Sequence, residues 1–451
     1  MNMMDKTILI FGTGISGISA AKLLESTTNN IIMYEGNNTL NIPELKAKLG
    51  SGFGGRIVYG DLTDELIESL DLVVLSPGVP TDLELVNKMR DCDIPIIGEI
   101  ELAYQFAKGK IACITGTNGK TTTTTLVGQI MKSYYDSVFV VGNIGLPYTS
   151  TAMETTESSI TVAELSSFQL ETIRDFNPDV SAILNITPDH LNRHHTMENY
   201  INAKVNITLN QGENQVCVLN YEDEVLRKVG EKLNTKVFYF SSKRSLENGI
   251  SLVNDNIIYR RDNEEIFICN INELNIFGRH SYENVMAAVA IGLSLNVPLI
   301  NIQTAIKKFV AVEHRIEYVT TKYGVKYYND SKGTNPDASM KAIESMQAPT
   351  VLIAGGYDKD SDYDEWIETF GNKIKCLVLL GQTKDKIKET ALKHGFTNII
   401  MVDSLEEAVT VSSKNVSNGE CVLLSPACAS WGMFKDYEER GRLFKQYVNE
   451  L

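Results

Sequence analysis

The run Thr115-Gly116-Thr117-Asn118-Gly119-Lys120-Thr121-Thr122 restricts this chain more than any other feature. It follows the apolar stretch Ile111–Thr115, which reads as a buried strand. It opens a stretch from Thr121 to Lys132 that reads as a helix. A strand that turns through glycines straight into a helix is the unit of a parallel α/β sheet, because the helix must cross back over the sheet. In such a loop the backbone N–H groups cradle phosphate oxygens, a lysine reaches the terminal phosphates, and a hydroxyl can face Mg2+. The loop is not a strict G-x-x-x-x-G-K-[ST] motif, since Ile114 stands where its first glycine belongs. A nucleoside triphosphate accounts for Lys120; an ordinary glycine turn leaves it without a purpose.

A second loop, Gly12-Thr13-Gly14-Ile15-Ser16-Gly17, also follows a strand (Thr7–Phe11) and opens a helix near Ile18–Glu25. Glu35 ends the next strand, Ile31–Glu35. This is the dinucleotide fingerprint in its proper context. NAD or FAD, another phosphate-bearing ligand and a structural turn all stay open for it. Two phosphate loops in one chain say more than either alone. A dehydrogenase needs one nucleotide site, whereas a ligase that joins a nucleotide-linked substrate to something else with ATP needs two.

The chain has 451 residues, which at roughly 100–200 per domain suggests three domains. The pattern divides into α/β segments over residues 1–108, 109–312 and 313–451. The expected fold is α/β, three such units in a row, the first with the dinucleotide fingerprint and the second with the phosphate loop around Lys120. Further strands are expected at Asp71–Leu75, Ile160–Ala163, Val180–Leu184, Val216–Leu219, Val237–Phe240, Val325–Tyr328, Val351–Ala354, Cys376–Leu380 and Cys421–Leu424, and residues 241–276 read as short strands and turns. Helices are expected at Ser281–Leu295 and Lys384–Lys393. The charge balance, 42 Lys+Arg against 57 Asp+Glu, argues against a nucleic-acid binder, which needs a basic face. Seven cysteines without C-x-x-C spacing suggest reduced thiols in a cytoplasmic protein. No run approaches 18 apolar residues, so no membrane insertion is expected.

Glu164 closes the strand Ile160–Ala163, at the carboxyl end where open α/β sheets place ligands, and a carboxylate beside an ATP phosphate commonly holds Mg2+. Its bland alternative is an exposed acid on a loop. Asp189-His190 follows the next strand. His194 and His195 read as solvated bystanders, and Lys204, by spacing alone, as a surface lysine on a helix. Arg315 sits at the hinge before the third segment. Asn329-Asp330-Ser331-Lys332-Gly333-Thr334-Asn335-Pro336 places an acid, a base and several hydroxyl and amide groups at one strand end, which reads as a site.

Taken together, the run Thr115–Thr122 and the segments Glu164-Leu165-Ser166-Ser167-Phe168-Gln169-Leu170, Asp189-His190-Leu191, His314-Arg315 and Asn329–Lys332 resemble the Mur ligases of bacterial cell-wall synthesis. Leu424-Ser425-Pro426-Ala427-Cys428-Ala429-Ser430-Trp431 points, within that family, to the members that add D-glutamate. A D-N-P-R-like motif of the diaminopimelate- or lysine-adding members is not found. The resemblance covers essentially the whole chain, and it implies a P-loop-type central domain between two dinucleotide-fold-like domains. It implies a cytoplasmic, monomeric ligase of peptidoglycan precursor synthesis. Such a ligase joins UDP-N-acetylmuramoyl-L-alanine to D-glutamate with ATP, through an acyl phosphate, and uses two Mg2+ sites (Mn2+ being the alternative metal).

The resemblance also implies residue roles. Gly116, Thr117, Asn118, Gly119, Lys120, Thr121 and Thr122 would hold ATP, with Asn284, Arg315, Asp330 and Lys332. Thr121 and Glu164 would bind one metal. His190 and Lys204, the latter as a carbamate, would bind the second, which overturns the surface-lysine reading. Ile15, Ser16, Glu35, Gly78 and Asn143 would hold the uridine substrate, so the Gly12–Gly17 loop would carry a uridine diphosphate rather than NAD. Thr334, Lys359, Ser430, Trp431 and Tyr437 would hold D-glutamate. Residues this scattered imply domain closure. Departures from the family pattern fall at Asn37, Ser281 and Tyr437. A sister Mur-type or folylpolyglutamate-type ligase, an NAD-dependent oxidoreductase and a non-catalytic P-loop switch are the rival readings.

Overall fold

The computed structural model describes residues 3–28, 30–36, 41–50, 52–276, 278–310 and 313–451. Asn37 and the expected domain limit at 312 lie outside them. The chain forms two compact units, Met1–Glu273 with Glu283–Lys308, and Leu274–Tyr282 with Phe309–Leu451. The first unit contains two sheets and the second contains one, among the described residues.

The first sheet is parallel throughout, in the order Arg56–Tyr59, Ile31–Glu35, Ile8–Phe11, Leu72–Leu75, Ile96–Gly98. Its three central strands are apolar on both faces because both are covered. Ile8, Ile10, Met33 and Val74 pack to one side, and Leu9, Phe11, Ile32 and Val73 to the other. The chain reverses direction across the sheet at Ile8–Phe11, so Gly12 and Gly78 lie beyond the carboxyl ends of adjacent strands. That is the crevice where such sheets bind ligands.

The second sheet runs Glu264–Asn270, Asn256–Arg261, Gly249–Val253, Lys236–Ser241, Val216–Asn220, Val180–Ile183, Lys110–Thr115, Ile160–Glu164, Val138–Gly142. The three strands from Gly249 to Asn270 pair antiparallel with one another, and the remaining pairings are parallel. Lys110–Thr115 lies between Val180–Ile183 and Ile160–Glu164, so the loops after all three strands open on one edge.

In the second unit, Glu317–Lys322 and Val325–Asn329 form a hairpin that continues, in parallel, through Cys421–Leu424, Thr350–Ala354, Ile374–Leu379 and Ile399–Met401. Successive residues serve opposite faces. Leu352 and Leu423 pack with Trp366 and Phe370, whereas Val351, Val422 and Leu424 pack with Phe444 and Val448.

The strands absent from the sequence reading are Arg56–Tyr59, Ile96–Gly98, Val138–Gly142, Glu317–Lys322 and Ile399–Met401. All five lie at sheet edges: Arg56–Tyr59 and Glu317–Lys322 are half-exposed and mix polar with apolar residues, Ile96–Gly98 and Ile399–Met401 have three residues each, and Val138–Gly142 is a short apolar run that the sequence reading passed over. Helix Ile15–Leu24 begins three residues earlier than expected. Gly14 enters it in an extended conformation, so the glycine loop leads directly into the helix.

The third fingerprint glycine, Gly17, lets helix and loop approach closely. A Cβ there would lie 2.0 Å from the Gly12 carbonyl oxygen and 3.1 Å from Ser76 Oγ. Gly17→Ala should therefore destabilise the first unit by about 1–3 kcal/mol, the range for overpacking. The gain of roughly 0.5–1 kcal/mol typical of Gly→Ala inside a helix would be absent. Urea unfolding followed by circular dichroism checks this, and a stabilised variant would refute the close contact.

Candidate active site

Gly116 and Gly119 give the central loop its shape. Both adopt positive φ, +147° and +85°, and Gly119 leads directly into helix Lys120–Lys132. A Cβ at Gly119 would fall 2.3 Å from Asn284 Oδ1, so Asn284 sits hard against the loop. The loop is fastened from beneath by the segment after Val180–Ile183. Thr117 N–H donates to the Asn185 carbonyl (2.9 Å) and Asn118 N–H to Asn185 Oδ1 (2.8 Å). Asn185 Nδ2 returns a bond to the Asn118 carbonyl (3.0 Å). The Thr117 hydroxyl lies 3.0 Å from the Thr187 carbonyl and 2.9 Å from Tyr200 Oη. Its side chain thus ties the loop to its support. Thr121 and Thr122 are buried in the first turn of the helix.

Lys120 folds back over this loop and donates to the Gly116 and Thr117 carbonyls at 2.8 and 2.9 Å. Lys204, on helix Met197–Val205, also donates to the Gly116 carbonyl, at 2.9 Å. It is only 1% exposed, and its ammonium stacks over the Tyr200 ring at 4.8 Å. A surface lysine at this position is excluded. Burial, and then the neighbouring Lys120 charge, push its pKa well below the usual lysine range, against an opposing pull from Asp189 and Glu164.

Glu164 is the last residue of Ile160–Glu164 and pairs in register with Ile114. It is 2% exposed, not an exposed loop acid. Oε1 accepts from Asn143 Nδ2 at 2.8 Å, while the buried Oε2 has no hydrogen-bond partner. A buried carboxylate oxygen in that state calls for a proton or a cation. This is the chemistry of a Mg2+ ligand, and carboxylate oxygen is the donor Mg2+ prefers.

His190 has a left-handed backbone (φ 54°). Its Nε2 lies 3.7 Å from Asp189 Oδ2, and its ring meets Phe168 edge-on at 5.0 Å. His194 is not a solvated bystander. It is 4% exposed, with Nε2 2.9 Å from Ser167 Oγ and Nδ1 3.3 Å from Glu171 Oε1, and burial lowers its pKa. Glu171 also receives Arg193 at 2.7 Å, and Arg193 donates to the Val79 carbonyl at 3.0 Å, linking this segment to the Gly78 loop. His195 is exposed beside Asp82. A polar cleft of about 350 Å3 opens along Thr81, Glu171, Arg193 and Asn199, but none of the expected nucleotide residues line it.

At the first sheet, Glu35 Oε2 accepts both the N–H and the hydroxyl of Thr13, at 3.3 and 2.8 Å. Ile15 is 77% exposed at the helix start, Ser16 is half-exposed beside it, and Gly78 is exposed on the neighbouring loop.

The second unit gathers its expected residues at the carboxyl ends of three adjacent strands. After Val325–Asn329 come Asp330, Lys332 and Thr334; after Thr350–Ala354 comes Lys359; after Cys421–Leu424 come Ser430 and Trp431. Asp330 is 1% exposed and accepts from Ile316 N–H (3.2 Å) and Ser425 Oγ (2.7 Å). Burial pushes its pKa up to about 6, although Arg315 pulls it down. The Arg315 Nε is buried without a hydrogen-bond partner. Lys332 lies over the Tyr437 ring at 5.3 Å, and Lys359 lies over Trp431 at 5.9 Å. Ser430 is buried. Glu313, His314 and Glu317 bring three potential metal-ligating atoms together, but Lys445 already supplies the cation, 2.5 and 2.9 Å from the two glutamates.

Sequence reasoning gave no role to Asn185, Tyr200 or Arg193. Tyr200 was findable, since it precedes Lys204 by four residues and so shares its helix face. The roles of Asn185 and Arg193 depend on partners far away in the chain.

Comparison with known proteins gives one consistent picture. Family models described as "Mur ligase MurD-like, N-terminal domain", "Mur ligase middle domain" and "Mur ligase, glutamate ligase domain" match residues 6–98, 114–292 and 314–428. The UDP-N-acetylmuramoylalanine–D-glutamate ligase of Lachnoclostridium phytofermentans is 61% identical, over 100% of this chain and 99% of the relative. That of Clostridioides difficile is 45% identical over 100% of both chains. Among solved structures, MurF from Acinetobacter baumannii aligns with a TM-score of 0.63 at 16% identity, covering 98% of this chain and 93% of that one. UDP-N-acetylmuramate-alanine ligase MurC from Thermotoga maritima aligns at 0.59 and 20% identity, covering 99% of both. These structural likenesses concern the fold.

Asp330 makes a pH prediction. Its folded pKa of about 6 lies above the ordinary aspartate value of 3.8. The protonated form is therefore favoured by folding, and its contribution is complete below about pH 4 and lost as pH rises through 6. At about 1.4 kcal/mol per pKa unit, the stability of Asp330→Asn relative to wild type should rise by about 2 kcal/mol from pH 4 to pH 7. Denaturant titrations at several pH values check this, and a pH-independent difference would contradict it.

Proposed function

The chain belongs to the Mur ligase family, and we propose that it joins D-glutamate to UDP-N-acetylmuramoyl-L-alanine, the reaction for which its curated relatives are named. The observation that carries the reading is the grouping of Lys120, Lys204 and the half-satisfied Glu164 around one glycine loop. Mur ligases use ATP with Mg2+. A carboxylate is a poor electrophile because oxide is a poor leaving group, and phosphorylation removes that obstacle. The alanyl carboxylate oxygen attacks the γ-phosphorus, the bond to the bridging oxygen breaks, and ADP leaves. The D-glutamate nitrogen then attacks the acyl carbonyl and gives up its proton. The carbon–oxygen bond to phosphate breaks, leaving an amide and inorganic phosphate.

The protein's part in this is to position the reactants and neutralise charge. Lys120 faces the γ-phosphate, Gly116–Thr122 wrap the phosphate chain, and Asn284 packs against that loop. Thr121 and Glu164 would hold one Mg2+; His190 and a carbamylated Lys204 would hold a second, with Mn2+ as the alternative metal. When bound, the metal supplies positive charge to the phosphate oxygens. Only a neutral amine can be carbamylated, and the depressed pKa of Lys204 supports that assignment. Arg315, Asp330 and Lys332 contribute to ATP binding. Ile15, Ser16, Glu35, Gly78 and Asn143 take the uridine substrate, and Thr334, Lys359, Ser430, Trp431 and Tyr437 take D-glutamate. We place the enzyme in the cytoplasm as a monomer. Its seven cysteines are free thiols, which suits that compartment.

ADP release with UDP-N-acetylmuramoyl-L-alanine, ATP, Mg2+ and a panel of amino acids should require D-glutamate. Release with L-lysine, diaminopimelate or L-alanine instead would move the chain to a sister ligase. Lys120→Ala and Glu164→Ala should each lower turnover by at least about 100-fold with unchanged circular dichroism, and near-normal turnover would sink the phosphate and metal roles. Lys204→Ala should lose activity that short carboxylic acids partly restore, whereas full activity without them would rule out a role for this lysine.

A further inference from the structure

Arg440 lies one turn into helix Tyr437–Glu450 and is 2% exposed. Its Nε donates to Ser331 Oγ at 3.0 Å and its Nη2 to the Ser331 carbonyl at 2.8 Å. Nη1 and Nη2 both donate to the Cys428 carbonyl at 3.2 Å. None of these acceptors is a carboxylate. A buried guanidinium held by neutral groups is an expensive way to stabilise a core, because well-packed apolar side chains do so without desolvating a charge.

The acceptors belong to two different ligand segments. Ser331 stands between Asp330 and Lys332, and Cys428 stands two residues before Ser430. Ser331 Oγ also donates to the Tyr437 carbonyl at 2.8 Å, which brings in the start of the helix that carries Arg440. The Cys428 segment is conformationally strained, since Ala427 has φ +56°. Such a residue persists only where its surroundings over-determine it. Here Gly355 N–H holds the Pro426 carbonyl (2.9 Å), Ser339 Oγ holds the Ser425 carbonyl (3.0 Å), and Tyr357 N–H holds the Ala429 carbonyl (2.9 Å). Arg440 holds the Cys428 carbonyl and is the side chain that also reaches Ser331.

We propose that Arg440 is a positioning residue that locks the Asp330–Thr334 segment to the Ala427–Trp431 segment, so that the sites for nucleotide and incoming amino acid are set by one side chain and change together. This rests on the ligand roles proposed above for those segments. A guanidinium can serve both carbonyls and the hydroxyl from one fork, whereas an ammonium on a flexible stem cannot hold that geometry.

The test uses the full-length enzyme. D-glutamate-dependent ADP release by the wild type is measured first, and its absence would defeat the functional reading itself. With that activity in hand, Arg440→Lys and Arg440→Met should each raise KM for ATP and KM for D-glutamate together, by about tenfold or more. KM for the uridine substrate should stay within about twofold. A lower melting temperature with both KM values unchanged would make Arg440 a stabilising residue only and overturn the proposal, as would movement of one KM without the other. If neither Arg440 variant folds, Ser331→Ala decides. It removes the hydroxyl that accepts from Nε, and a joint rise of about threefold in the two KM values is expected, with no rise overturning the proposal.

Discussion

Two ammonium groups meet at one carbonyl oxygen, and much of the central site follows from that. Gly116 O accepts from Lys120 at 2.8 Å and from Lys204 at 2.9 Å. Two cations so close repel strongly in a low-dielectric interior, and the buried one yields first. Lys204 is the buried one, and its lost solvation first, then the Lys120 charge, leave its proton weakly held. The nearby carboxylates, Asp189 and Glu164, pull the other way without restoring an ordinary lysine. Glu164 has one oxygen committed to Asn143 and the other unpartnered. The pocket therefore combines an incompletely satisfied anion, a reluctant cation and a lysine poised over the glycine loop. Phosphate and a divalent metal are complementary to that combination.

The loop can present these groups because its own backbone is immobilised from below. Asn185 exchanges hydrogen bonds with Asn118, and the Thr117 hydroxyl sits between Thr187 and Tyr200. These partners come from the segment that follows the strand next to Lys110–Thr115 and from the helix that carries Lys204. Parallel pairing therefore does more than form a core. It sets the carboxyl ends of three strands side by side, so the loop, Glu164 and the Asn185 segment open on one edge.

What the sequence made legible was what short range encodes. Gly12–Gly17 and Gly116–Lys120 announce themselves because a glycine turn between strand and helix needs neighbouring residues only. Glu164 and Asp330 were findable as polar residues closing apolar strands. The edge strand Glu317–Lys322 was not, because its half-exposed residues mix polar and apolar without a clean period. Neither was the burial of Lys204. A lysine on a helix is usually solvated, and only the tertiary placement of Tyr200 and the Gly116 loop encloses it. Thr117 shows the converse. The motif suggests a phosphate contact, yet its hydroxyl is engaged with the protein's own backbone and Tyr200.

Lys204 and Arg440 are both long cations with almost no exposure, and the protein treats them differently for a chemical reason. An ammonium can escape the cost of burial by losing its proton, and its amine then becomes a nucleophile. A guanidinium has no such escape. Burial lowers the pKa of Arg440 only to about 10, so it stays charged at neutral pH. Its charge is answered by the nearby Asp330 carboxylate and by fixed dipoles, the carbonyls of Ser331 and Cys428 and the hydroxyl of Ser331. The lysine therefore suits a position where chemistry requires a group that changes its charge state. The arginine suits one where two loops require a fixed spacing. Exchanging the two residues would put a permanent cation beside Lys120 and a collapsible one between the loops, and each site would lose the property it depends on.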